Sequence, residues 1–151
     1  MLREKKEKIR GVLNRIPQWA FTTVTVLAII WLTLVPDPLG DDSPHLFPGA
    51  DKVVHALMFG GLTSMILLDL QRRSEWRPVG KGVVWMAALT AASFGILIEF
   101  LQLWMGLGRG FEIADMVADT AGSAIVAILW LRLQIHWSEE GINNNDKIVR
   151  R

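Results

Sequence analysis

His55 stands one helical turn after Asp51, and an i, i+4 spacing puts both on one helix face, with Lys52 between them. Glu99 and Gln102 are paired in the same way at i, i+3, and Asp115 and Asp119 at i, i+4. Arg109 and Glu112 lie between those last two pairs, in a stretch that Gly106, Gly108 and Gly110 leave conformationally free. An imidazole beside carboxylates can act as a general acid or base, or combine with them as nitrogen and oxygen ligands of a divalent cation. Lys52 and Arg109 can hold an anion through charge-assisted hydrogen bonds.

Every one of these clusters borders an apolar segment. Residues 19–35 carry no charge and stop at Val35-Pro36-Asp37-Pro38, where proline cannot continue a helix. Residues 53–70, 83–103 and 116–133 form three more apolar stretches. The third stretch has 21 residues, about 31 Å as a helix, enough to cross a hydrocarbon core. Stretches such as 24–30 and 86–97 offer only Thr and Ser on any face, so the polar stripe of a soluble helix is missing. The 151 residues, 51% hydrophobic with mean hydropathy +0.31, therefore predict an all-α fold, a four-helix transmembrane bundle. A basic segment, 1–18, precedes the membrane domain, 19–133, and a polar tail, 134–151, follows, mobile from residue 138. The run at 19–35 is too long for a signal-peptide core and reads as an uncleaved first helix.

Charge asymmetry predicts orientation. Of 16 Lys and Arg residues, 14 lie before residue 19, between the second and third apolar stretches, or at and after the end of the fourth. Only Lys52 and Arg109 fall on the other side. The positive-inside rule then puts both termini in the cytoplasm, in an inner (cytoplasmic) membrane. Trp19, Trp85, Trp130 and Trp137 mark inner ends and Trp31 and Trp104 outer ends, as interfacial belts do. In that topology the three polar clusters meet at the outer face. Glu99 and Asp119 lie about a turn inside their spans, where an ionised group needs a partner. Lys52, His55 and Arg109 are the available ones, a Glu99–Arg109 salt bridge among them. Asp51 and Asp115 also suit helix starts, as caps or as charges facing the dipole. Small residues at Ala87, Ala91 and Gly95, at Ala114, Ala118 and Gly122, and at Gly60 and Ser64 are expected to form the helix contacts.

These residues resemble the VanZ-like family of small membrane proteins over residues 31–128. The resemblance rests on Trp31 and Pro36, Asp51-Lys52, His55 and Phe59, then Gly95, Glu99 and Gln102, and last Gly108-Arg109, Asp115 and Gly122. It implies a bacterial envelope protein, with glycopeptide (teicoplanin) resistance as the family's associated trait. It carries over a residue set, Asp51, Lys52, His55, Glu99, Gln102, Arg109 and Asp115.

The expected function is to bind or modify an anionic envelope component, with membrane lipid, a lipid-linked precursor or a glycopeptide as partners. Asp51, Lys52, Gln102, Arg109 and Glu112 are the expected ligand-binding groups. The alternative is a membrane-embedded hydrolase or transferase acting on a lipid-linked phosphate, with His55, Glu99, Asp115 and Asp119 as its acid and base groups. No HExxH or GxSxG motif is present and there is no cysteine, so no metal site and no cofactor is assigned. Ion passage is disfavoured, because Asp69 alone continues a polar path inward. Nucleic acid is not an expected partner, since membrane orientation and anionic lipid explain the basic N-terminal residues.

Overall fold

The computed structural model describes residues 2–36, 47–106 and 111–149, with the side chains of residues 2, 3, 5, 6 and 135–149 outside the description. The described residues form helices and no strands. They are α1 (Leu2–Leu13), α2 (Ala20–Leu34), α3 (Ala50–Arg73), α4 (Lys81–Met105) and α5 (Ile113–Val149). Three of them have the length and apolar composition to cross a membrane: α3, α4 and the Ile113–Gln134 part of α5. The stretch expected as a first span is shorter than expected. At 15 residues, α2 is about 22 Å long, below the ~30 Å of a hydrocarbon core. The backbone of α5 stays helical through Val149, beyond its apolar part.

Polarity in the bundle is the reverse of that in a water-soluble protein. Leu57, Leu89, Leu97, Leu103, Val117 and Ile125 are exposed on its outside, while Thr33, Thr63, Asp69, Glu99, Gln102, Asp119 and Ser123 are buried inside. Hydrocarbon can solvate the former, and the latter must find partners within the protein.

Backbone proximity joins α3 to α5. A Cβ on Gly122 would overlap the Ala56 carbonyl, falling 2.7 Å from its carbon and 2.8 Å from Ala56 Cα. One on Gly60 would lie 3.2 Å from both Gly122 O and Val126 Cγ2. Ala87, Ala91 and Gly95 are buried on α4 as their spacing predicts. The α5 stripe is misplaced by the sequence, because Ala114 is exposed and Ala118 only half-buried. The buried face of α5 instead runs through Asp115, Asp119, Gly122, Ser123 and Ala127.

At the basic end, Asp69 ties α2 to α3. Its Oδ2 accepts from Thr22 N–H (3.0 Å) and Thr22 Oγ1 (2.9 Å), and its Oδ1 from Arg72 Nη1 (2.9 Å). Arg72 Nη2 also donates to Ile16 O, which holds the α1–α2 connection. Asp69 is thus a fastening point between α2 and α3. Nearby, Arg10 stacks over Trp76, whose Nε1 donates to Asn14 Oδ1, so α1 packs on the turn after α3.

Candidate functional site

At the opposite end, the start of α3, the end of α4 and the start of α5 come together. His55 lies in the second turn of α3, Glu99 six residues before the end of α4 and Asp119 six residues after the start of α5. Six residues are about 9 Å of helix, so the three side chains meet at a common depth. Phe59, one turn below His55 and fully buried, stacks its ring 6.4 Å from the imidazole and closes the floor.

His55 Nδ1 lies 3.0 Å from Asp119 Oδ1. A neutral imidazole facing an ionised carboxylate carries its proton on Nδ1, which leaves the Nε2 lone pair directed away from Asp119. Nε2 faces Asp115 Oδ2 across 4.0 Å, too far for a hydrogen bond. Asp119 is fully buried, and its Oδ2 has no hydrogen-bond partner among the described residues. It packs against Gly95, where a Cβ would fall 2.9 Å from Asp119 Cβ. Glycine at that point therefore admits the carboxylate between α4 and α5.

Glu99 is also fully buried. Its Oε2 accepts the backbone N–H of Glu112 at 3.1 Å, which fixes the start of α5 against α4, and its Oε1 has no hydrogen-bond partner among the described residues. Asp115 lies in the first turn of α5 with Oδ1 3.2 Å from Lys52 Nζ. Lys52 also donates to Glu112 Oε2 and, at 2.5 Å, to Asp51 Oδ2. One ammonium thus gathers three carboxylates on the exposed rim above the buried cluster.

Of the expected site residues, the structure brings His55, Glu99, Asp115 and Asp119 into one cluster, with Asp51, Lys52 and Glu112 at its rim. Gln102 belongs elsewhere. It is buried, and its Nε2 donates to Thr33 O at 2.9 Å, so it ties the end of α4 to the end of α2. Asp51 does not cap α3, because Gly49 occupies the cap position and Asp51 stands in the first turn with an exposed side chain. Arg109, expected as a partner of Glu99, lies outside the described residues. Sequence reasoning missed the Asp69–Thr22–Arg72 fastening; an acid in an otherwise apolar stretch, three residues before an arginine, was its available signal.

The cluster can hold a proton between His55 and its carboxylates, or receive a cation. Its carboxylates outnumber its cationic side chains among the described residues. No curated protein and no solved structure matches the chain. The family model described as VanZ/LLP1 matches residues 3–134, nearly the whole chain. With that match, and with the buried acid–imidazole cluster built by its apolar helices, the chain belongs to the VanZ/LLP1 family.

Proposed function

We propose that this chain is a multi-pass inner-membrane protein that binds an anionic, lipid-linked envelope component at an extracytoplasmic polar site. The observation that carries the reading is the His55–Glu99–Asp115–Asp119 cluster, contributed by three apolar helices and buried where an unpaired charge is costly. Groups that serve only solubility have no reason to lie at that depth. The 14-to-2 distribution of Lys and Arg supports cytoplasmic termini and an outward-facing cluster. In this topology α2 is a fourth, short crossing, held to α3 by Asp69 and to α4 by Gln102.

Lys52 and Arg109 are the groups this reading assigns to the anion. Teicoplanin resistance is the trait it connects to, through depletion or masking of a lipid-linked target. The test uses tag-free protein in detergent and a polyprenyl phosphate as probe, followed by quenching of the intrinsic tryptophan fluorescence. Saturable binding that is lost in Glu99→Gln and His55→Ala, while both variants retain cooperative thermal unfolding, is the expected result. Equal signals from wild type and both variants would end the proposal. Release of inorganic phosphate from the probe would replace binding with hydrolysis. In cells, expression of the wild type, and not of Glu99→Gln, is expected to raise the teicoplanin concentration needed to stop growth.

A further inference from the structure

We infer that His55, Glu99 and Asp115 form a binding site for a divalent cation, Zn²⁺ or Mn²⁺, between α3, α4 and α5. One ligand atom from each of the three lies within 4.8 Å of the other two. The imidazole is already oriented for ligation, since Asp119 Oδ1 accepts from Nδ1–H and leaves Nε2 facing Asp115 Oδ2, 4.0 Å away. A carboxylate behind a histidine in this way sets the tautomer and ring orientation and raises the basicity of the free nitrogen. Ligand atoms bonded to one ion at ~2.1 Å are about 3.4 Å apart at a tetrahedral angle, so modest side-chain rotation closes the set. One nitrogen and two carboxylate oxygens suit Zn²⁺ or Mn²⁺, where an all-oxygen set would suit Mg²⁺ or Ca²⁺.

An independent observation points to a ligand at this place. Glu99 is fully buried, yet its Oε1 has no hydrogen-bond partner among the described residues. A carboxylate oxygen removed from water without a donor is costly, and a dication satisfies it directly. A neighbouring acidic set, Asp51, Glu112 and Asp115, is as closely spaced and is rejected on the same physical ground. Lys52 Nζ already contacts all three of its members. Asp115 divides its two oxygens accordingly, Oδ1 toward Lys52 and Oδ2 toward His55.

The cation site does not depend on envelope binding, and it adds to an acid-rich face a positive centre to which a phosphate can bind. The experiment is calorimetric titration of tag-free, chelator-treated full-length protein in detergent with ZnCl₂ and, separately, MnCl₂. About one ion per chain is expected, with binding lost in His55→Ala and Glu99→Gln and weakened about 10–100-fold in Asp119→Asn, which acts through the imidazole. Asp51→Asn and Glu112→Gln are expected to bind as the wild type does. Thermal unfolding identifies any variant that fails to fold, and Asp115→Asn then takes its place. Absence of binding by the wild type overturns the inference, and so does binding that persists in folded His55 and Glu99 variants. Polyprenyl phosphate added to apo and metal-loaded protein separates the two proposals. Cation uptake without lipid binding leaves this site standing and removes the other reading.

Discussion

His55 Nδ1 and Asp119 Oδ1, 64 residues apart in sequence, lie 3.0 Å apart and join α3 to α5 at the depth where the buried cluster begins. The bond gives the imidazole one orientation, and Phe59 beneath it keeps that orientation from relaxing. Asp119→Ala is therefore expected to lower stability by about 1–3 kcal/mol, since it leaves a half-buried ring nitrogen without its acceptor. Asp119→Asn keeps an acceptor oxygen and is expected to cost less. Thermal unfolding of both variants in detergent checks the order; equal losses would show that an amide oxygen cannot stand in for the carboxylate opposite Nδ1.

Close approach of α3 and α5 makes a second prediction. Gly122→Ala would drive a methyl group into the Ala56 carbonyl, which the backbone cannot yield without the helices separating. Overpacking of this kind costs about 1–3 kcal/mol, and here the upper end or more is expected because the obstacle is main chain. Gly61→Ala is the control, with open space around its Cβ position. Its helix propensity should make it neutral or stabilising by up to ~1 kcal/mol. A Gly122→Ala protein as stable as Gly61→Ala would show that the helices do not approach this closely.

Gln102 holds α2 rather than the polar cluster. Gln102→Leu is expected to release the end of α2 and cost about 1–3 kcal/mol, because it leaves the buried Thr33 carbonyl without a side-chain donor. Amide hydrogen exchange should rise in the second half of α2 and stay unchanged at the His55–Asp119 junction. Loss of cation or lipid binding in this variant, with α2 exchange unaltered, would return Gln102 to the site.

The Asp69–Arg72 pair should show the asymmetry of buried ions. Its two side chains are nearly inaccessible and are bonded to Thr22 and Ile16 as well as to each other. Asp69→Ala alone is expected to cost about 3–5 kcal/mol by leaving a buried guanidinium uncompensated. Adding Arg72→Met should recover part of that loss. Denaturant unfolding of the single and double variants measures the coupling; additive losses would show the pair to be independent.

Hydropathy along the chain was enough to find three long apolar helices. Alternation of their direction was enough to bring Asp51, His55, Glu99, Asp115 and Asp119 to one end. Both are local or summed quantities, legible without coordinates. The rotation of each helix about its axis was not legible, because lipid accepts alanine and glycine as readily as a neighbouring helix does. Packing therefore chose Asp115, Asp119, Gly122 and Ser123 over Ala114 and Ala118 as the buried face of α5. Tertiary structure likewise turned Gln102 to Thr33, gave Glu99 the Glu112 amide and made Asp69 the anchor of α2. Sequence determined which residues must avoid hydrocarbon. Only close contact between helices decided which partner each of them found, since a hydrogen bond depends on ångström-scale placement that composition and spacing do not carry.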